Sequence, residues 1–119
     1  MSIIDPNKLQ NMTAGDADLL ADLAIMFVRK LPELKAQMRV GIESGNAAAV
    51  ESGAHQLKSR VSYFGATSLH KQAIELEAVA HNAGSQKLTA LYDTLFVDVD
   101  NLIEELRTLT QLALELDTD

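Results

Sequence analysis

The 119-residue sequence contains no cysteine and no tryptophan, and it has only two prolines, three phenylalanines and two tyrosines. Without cysteine, disulfides and thiolate metal sites are excluded. A core with so few aromatic rings has to be built mainly from Leu, Ile, Val, Ala and Met, which suits packed helices. No stretch alternates apolar and polar residues as a half-buried strand would. These absences together predict an all-α fold.

The chain also lacks the hydrophobic segments that direct proteins into or across membranes. Residues 1–6 contain no basic stretch followed by a long apolar one, and no apolar run approaches the length of a membrane-spanning helix. We therefore expect a cytoplasmic protein without membrane contacts. A length of 119 residues is typical of one domain with one buried core, so we expect a single domain over residues 1–119.

Basic residues are too few for a nucleic-acid-binding surface. The formal net charge is −7. Residues 93–119 hold eight acids and one base, which accounts for the whole excess, while residues 1–92 hold nine of each sign. Because phosphate binding needs a basic face, nucleic acid is not an expected partner. We interpret the acidic segment as the solvated face of a helix.

Hydrophobic periodicity predicts a short lead-in helix followed by four long helices. Their approximate ranges are 6–12, 16–43, 46–64, 68–83 and 86–116. Pro32 lies inside the second range, where it predicts a kink or a break near Lys30 and Leu31. Short connections between long amphipathic helices favour antiparallel neighbours. The expected fold is therefore an up-down antiparallel four-helix bundle preceded by the short helix.

The last predicted helix has a regular apolar pattern with alternating steps of three and four residues. The residues of this seam are Tyr92, Leu95, Val99, Leu102, Leu106, Leu109, Ala113 and Leu116. A heptad seam of this kind also occurs in dimeric coiled coils. Since the three preceding long helices can cover most of it, we expect a monomer.

His55 has no role in the predicted core of the third helix. The core face of that helix consists of Val50, Ala54, Leu57, Val61 and Phe64. At about 100° per residue, His55 lies about 140° from the centre of this face and points outward. The residues on its own side are all small, namely Ala48, Ser52, Ser59, Ser62 and Ala66. Lys58 lies one turn further on, so the pattern predicts an accessible imidazole with a cation beside it.

Two other interpretations use the same residues. Glu51 and His55 are four residues apart, as are Glu77 and His81, so each pair shares a helix face and offers two metal ligands. In carboxylate-bridged metal bundles, however, Glu and His are three apart and point inward. The other interpretation is a structural or dimerising bundle without chemistry of its own. The presence of both His55 and Lys58 argues against it, whereas His70 and His81 are interpreted as ordinary surface residues.

The window from Ala54 to Glu77, AHQLKSRVSYFGATSLHKQAIELE, resembles the histidine phosphotransfer (HPt) family of two-component phosphorelays. In that family a His is followed by an apolar residue, Lys and Gly at two, three and four positions on, then by a Gly-Ala pair and an apolar-Glu pair. The matching residues are His55, Leu57, Lys58, Gly65, Ala66, Leu76 and Glu77. Ser59 stands where the family usually has Gly. The Leu-Lys-Ser run and the Phe-Gly-Ala ending are also similar to free-standing relays of quorum-sensing type.

The resemblance implies a phosphorelay intermediate without an autonomous active site. His55 would accept a phosphoryl group, on the ring nitrogen far from the backbone, from a receiver-domain phospho-aspartate and pass it to another receiver. Lys58 would stabilise the phosphoryl charge. The implied partners are response-regulator receiver domains and a hybrid sensor kinase. No cofactor of its own is expected, because the receiver supplies the Mg²⁺.

The resemblance also directs attention to the residues that would give a receiver access to His55. These residues are Ser52, Ser59, Arg60, Ser62 and Gly65. The Ser59 side chain is small enough to leave room, and its hydroxyl is a candidate hydrogen-bond partner for the imidazole or the phosphoryl group. Arg60 either contacts an acidic receiver or is an ordinary solvated arginine. Receivers dock against apolar patches, for which the candidates are Ile4, Leu9, Met12, Ile25, Met26 and Val28.

Overall fold

The computed structural model describes residues 2–112, and every regular element in that range is a helix. In chain order the helices are α1 (Pro6–Thr13), α2 (Ala17–Ser44), α3 (Ala47–Ser62), α4 (Thr67–Val79) and α5 (Ser85–Thr110). The all-α prediction is confirmed. No helix within residues 2–112 has both the length and the apolar character needed to span a bilayer.

Polar side chains at the predicted break points start the first three helices. Asp5, Asp16 and Asn46 each precede a helix and accept hydrogen bonds from backbone N–H groups in its first turn. These N–H groups have no partner within the helix, so the cap stabilises the helix end. Gly45 ends α2 in a left-handed conformation with φ of 73°, which glycine adopts without steric cost.

Of the kink or break predicted near Lys30 and Leu31, the break is wrong, because α2 continues without interruption from Ala17 to Ser44. A proline inside a helix costs about 3 kcal/mol through its missing N–H and its ring clash. Leu31 and Leu34, on either side of the proline, are 1% and 0% exposed. Burying two such side chains contributes about 3–6 kcal/mol. Core packing is therefore sufficient to keep α2 helical on both sides of Pro32 despite the local preference.

Helix α5 ends earlier than its apolar pattern predicts. Gln111 has a left-handed backbone with φ of 58°, and its N–H donates to the carbonyl oxygen of Arg107 at 2.8 Å. A residue in this conformation cannot continue the helix. Leu109 is 52% exposed, so the buried seam stops at Leu106, which is 0% exposed. The other predicted seam residues, Ala113 and Leu116, lie outside the described residues.

Helices α2 to α5 pack so that each one contacts two of the others: α2 and α4 both contact α3 and α5. The rings of Phe27 and Phe64 meet edge to face with centroids 5.3 Å apart, and the Gln37 amide donates to the Ala49 carbonyl at 3.1 Å. These pairs show that α2 and α3 run antiparallel. The largest fully buried side chains lie between the four helices: Phe27, Phe64, Leu31, Leu34, Met38, Leu57, Leu69, Leu76, Leu95, Leu102, Leu106 and Val50.

A buried glycine brings α2 and α3 into close contact next to His55. A Cβ atom on Gly53 would lie 2.4 Å from Cγ of Met38, far inside van der Waals contact. Met38 is itself 0% exposed and has no solvent-side space to move into. The absence of a side chain at position 53 therefore sets the distance between the two helices and the height at which α3 presents His55.

Candidate functional site

His55 lies on the outer face of α3, with its side chain 59% exposed. The same helix buries Ala54 and Leu57, which are both 0% exposed, against the other helices. Because successive residues are separated by about 100°, anchoring these apolar neighbours directs His55 to solvent. The predicted outward direction of the imidazole is thus present in the structure.

The carboxylate of Glu77, on α4, bonds to both basic groups of the predicted site. Its Oε2 atom lies 2.7 Å from Nδ1 of His55, and its Oε1 atom accepts a hydrogen bond from Nζ of Lys58 at 2.8 Å. The hydrogen bond from Lys58 is the main reason why the pKa of Glu77 lies below its ordinary value; burial acts in the opposite direction, and His55 lowers the pKa further. Near neutral pH, Glu77 is therefore an anion that can only accept hydrogen bonds.

This contact assigns the proton of the neutral imidazole. Since the Glu77 carboxylate only accepts, Nδ1 of His55 must be the donor in their 2.7 Å hydrogen bond. In a neutral ring the other nitrogen, Nε2, then carries the lone pair. Nε2 is also the nitrogen farther from the backbone. The site thus presents a nucleophilic nitrogen on an exposed side chain, with its tautomer held by a neighbouring helix.

From the sequence, Glu77 was identified only as a member of the apolar-Glu pair of the motif. Its four-residue spacing suggested instead a shared site with His81. In the structure, Nε2 of His81 lies 3.4 Å from Oε1 of Glu51, and Glu77 bonds to His55. Each histidine therefore contacts the glutamate of the other predicted pair and not the glutamate four residues before it. The position of Glu77 in the motif was the signal that identified it.

The predicted metal-ligand pairs do not form a larger ligand cluster. Within residues 2–112, no group of three or more His, Asp and Glu side chains is arranged to hold a metal ion. His70 lies on α4 and is half-buried, away from both carboxylate–histidine pairs. The metal-binding interpretation stays a hypothesis, and the described residues bring no third ligand to either pair.

The serines around His55 direct their hydroxyls to the helix and not to the imidazole. Ser59 donates to the carbonyl oxygen of His55 at 3.3 Å, and Ser62 donates to that of Ser59 at 2.6 Å. Ser52 accepts a hydrogen bond from the side chain of Gln56 at 3.2 Å. With their hydroxyls bonded to their own helix, the three serines leave the space above His55 open. The expected hydrogen bond from Ser59 to the imidazole is absent from these described contacts.

Ala66 and Gly65 do not lie on the open surface beside His55, contrary to expectation. Ala66 is 0% exposed, and Gly65 is buried with φ of 65°. A Cβ atom on Gly65 would lie 2.7 Å from Cβ of Lys8 and 3.0 Å from the carbonyl oxygen of Asp5. The Gly65 carbonyl also accepts a hydrogen bond from the Asp5 N–H at 3.0 Å. Gly65 therefore permits α1 to pack on the α3–α4 turn and does not provide access to His55.

Arg60 and the apolar docking candidates differ in exposure: some are at the surface and others belong to the core. Arg60 is about 140° round α3 from His55, is half-buried, and has an Nε atom that is buried without a hydrogen-bond partner. Ile4 and Val28 are 4% and 6% exposed and belong to the core. Leu9 and Ile25 are half-buried against it. The exposed candidates are Met12 and Met26, at 46% and 58%.

Tyr63 is an exposed aromatic residue that sequence reasoning did not include. It is 46% exposed and directly precedes Phe64, whose ring contacts Phe27 of α2. Met26 directly precedes Phe27, so Tyr63 and Met26 lie at the same level of the α2–α3 pair. The signal in the sequence was a tyrosine four residues after Ser59, which is about one helical turn further on.

Comparison with known proteins agrees with this geometry. A family model described as the Hpt domain matches residues 22–109, which is well over half of the chain. The matched range includes all of α3 and α4, and so His55, Lys58 and Glu77. Neither the search of curated proteins nor that of solved structures returned a match. The chain therefore belongs to the Hpt domain family, whose members carry out histidine phosphotransfer in two-component phosphorelays.

Proposed function

We propose that this Hpt domain accepts a phosphoryl group on Nε2 of His55 from the phospho-aspartate of one receiver domain and passes it to another. The observation that carries the proposal is the 2.7 Å contact between Nδ1 of His55 and Glu77. It leaves Nε2 as the nucleophilic nitrogen on a side chain that is 59% exposed. A receiver can approach such a nitrogen directly.

The transfer is a displacement at phosphorus. The Nε2 lone pair of His55 forms the N–P bond while the P–O bond to the aspartyl carboxylate of the receiver breaks, and that carboxylate leaves as an anion. The ring becomes positively charged, since Nδ1 keeps its proton, and the anionic Glu77 stabilises this charge through the existing hydrogen bond. Lys58 offers a cation to the phosphoryl oxygens. Transfer to the next receiver is the reverse of these steps.

In this proposal the chain supplies the nucleophile and its immediate electrostatics, and the receiver supplies the rest of the active site. Mg²⁺ bound by the receiver carboxylates would neutralise the phosphoryl oxygens during transfer, so the Hpt domain needs no cofactor of its own. The partners are receiver domains of response regulators and a hybrid sensor kinase. We further propose that the chain acts as a cytoplasmic monomer and that α2 to α5 form an up-down bundle. Its similarity to free-standing quorum-sensing relays stays a prediction.

The proposal is tested by incubating the protein with a phosphorylated receiver domain and following the label. Label that is labile in acid and stable in base identifies a phosphohistidine. His55→Gln is expected to abolish labelling and to leave the melting temperature almost unchanged, because the side chain is exposed. His81→Gln is the matched control and should be labelled like the parent. Label that persists in His55→Gln would contradict the proposed acceptor.

A further inference from the structure

The end of the molecule beyond His55 carries basic side chains that form no ion pair with any described carboxylate. Nζ of Lys8 donates to the hydroxyl of Thr67 at 2.8 Å, which is a neutral partner. Among residues 2–112, no ion pair is formed by Lys8, His70 or Lys71. By contrast, the charge of Lys58 is already balanced by Glu77.

These basic side chains line two adjoining hollows between α1 and the start of α4. One hollow, of about 150 Å³, is lined by Lys8, Ser62, Thr67 and His70 among others. The second, of about 490 Å³, is lined by Lys8 and Lys71 among others. The only carboxylate that lines either hollow is that of Asp5, whose oxygen accepts the backbone N–H groups at the start of α1.

The smaller hollow lies on the same side of α3 as the imidazole. Ser62, which lines it, is seven residues after His55, and this places it about 20° round the helix and about 10 Å along it. A domain that covers His55 therefore also covers the hollow, since protein interfaces extend over about 800 Å² on each partner.

The charges of Lys8 and Lys71 are opposite in sign to the net charge of the chain. The net charge is −7, and the acids are concentrated in residues 93–119, most of which belong to α5. Helix α3 contacts α2 and α4, and no α3–α5 contact is found in the described packing, so the acidic helix lies across the bundle from His55. An acidic partner is thus attracted by Lys8, His70 and Lys71. Glu105 of α5 bonds to Ser2 and Ile3, which line the larger hollow, so the smaller hollow is the more favourable place for a carboxylate.

We propose that Lys8, His70 and Lys71 form a docking site for an acidic side chain at the rim of the receiver domain, and that this contact selects receivers with a negatively charged rim. The inference rests on the proposed function and adds the chemistry of the partner surface. A carboxylate in the smaller hollow would face Lys8 and His70 at the edge of the interface, where salt screens the attraction. Charges at the edge of an interface act mainly on the association rate.

The test compares two double variants that change the net charge equally. Lys8→Glu/Lys71→Glu reverses the docking site, and Arg39→Glu/Lys87→Glu reverses two basic residues on α2 and α5. A phosphorylated receiver that labels the parent is used with each variant, and single-turnover rates are measured over a range of receiver concentrations and at low and high sodium chloride. Circular dichroism establishes that both variants are folded.

We expect the docking-site variant to lose about 10-fold or more in the second-order rate constant at low salt, with the rate at saturating receiver unchanged. The control should lose less than about 3-fold. High salt should remove most of the difference. Equal losses in the two variants overturn the inference, as does a dimer of the parent that the docking-site variant dissociates, because that end would then contact a second copy. A parent that no receiver labels contradicts the proposed function itself.

Discussion

Nδ1 of His55 and Oε2 of Glu77 lie 2.7 Å apart, although 22 residues separate them in the chain. The contact joins α3 to α4 and gives the imidazole a defined tautomer. Because Lys58 bonds to the other oxygen of the same carboxylate, one acid positions the nucleophile and the cation together. The proposed phosphoacceptor site of this Hpt domain is therefore an arrangement of three residues, His55, Lys58 and Glu77.

Replacing Glu77 with alanine is expected to slow phosphoryl transfer by about 10- to 100-fold, as is typical when a group that orients a functional imidazole is removed. The physical cause is the loss of the acceptor for Nδ1–H. Nitrogen chemical shifts of His55 should show Nδ1–H as the neutral tautomer in the parent and a shift towards Nε2–H in Glu77→Ala. Glu75→Ala, on an exposed position of α4, is the matched control. An unchanged tautomer in Glu77→Ala would show that Glu77 does not orient the ring.

Replacing Lys58 with alanine is expected to slow transfer by about 10- to 100-fold while the fold is retained, because one charge-assisted donor contributes about 1–3 kcal/mol at a partly desolvated site. Rates from one phosphorylated receiver, at saturating concentration, measure the effect. Lys87→Ala removes the same charge from an exposed position of α5 and should leave the saturated rate unchanged. If Lys58→Ala reaches the parental saturated rate, the ammonium does not act on the phosphoryl group.

Replacing Ser59 with leucine is expected to obstruct the approach of a receiver. The serine is exposed and its hydroxyl bonds to the His55 carbonyl, so the larger side chain would fill the open space with little change in stability. Ser59→Gly should lose about 0.5–1 kcal/mol of helix stability and transfer at least as fast as the parent. Transfer rates and melting curves separate the two effects. Parental rates in Ser59→Leu would mean that this surface is not part of the route to His55.

Acid is expected to weaken the link between α3 and α4. The pKa of Glu77 is lowered in the folded chain, first by the hydrogen bond from Lys58, so its ionised form stabilises the fold at neutral pH. This contribution is present above the ordinary pKa of 4.5 and is lost as the pH falls through the folded value. In urea titrations, Glu77→Gln should therefore lose less stability than the parent between neutral and acidic pH. A parallel decline in both proteins would contradict the assigned cause.

Glu105 contributes to the acid dependence in the same direction. Burial works to raise its pKa, but hydrogen bonds donated by Ser2, Ile3 and Ile4 hold it below the ordinary value. Protonation of Glu105 weakens these bonds between residues 2–4 and α5. The acid titrations of Glu77→Gln should for this reason be compared with those of Glu77→Gln/Glu105→Gln.

Replacing Gly53 with alanine is expected to lower the free energy of unfolding even though alanine is the better helix former. The new Cβ would lie 2.4 Å from Cγ of Met38, and such overpacking costs about 1–3 kcal/mol against a gain of about 1 kcal/mol in helix propensity. A double-mutant cycle with Met38→Ala identifies the cause, because the alanine should be tolerated better once Met38 is truncated. Equal costs in both backgrounds would assign the effect elsewhere.

Local patterns were sufficient for much of the fold and part of the site. The apolar spacing of α3 places His55 outward because the helix repeat relates each residue to its neighbours, whatever surrounds the helix. The caps at Asp5, Asp16 and Asn46 begin helices for an equally local reason: the side chain bonds to its own backbone. The motif around His55 and Lys58 is equally local, and its resemblance to the HPt family agrees with the Hpt domain model that matches residues 22–109.

Contacts between helices could not be predicted from these local patterns. Glu77 pairs with His55 and not with His81 because the packing of α4 against α3 sets their relative height, which no spacing within one helix encodes. Gly65 is required by the approach of α1, and Pro32 is tolerated because buried leucines hold α2 on both sides. The amino-acid sequence was enough to predict that His55 faces the solvent, because the helix repeat alone decides this. The tautomer and the charged neighbours of His55 depend on long-range packing, because they come from residues that meet only when the helices assemble.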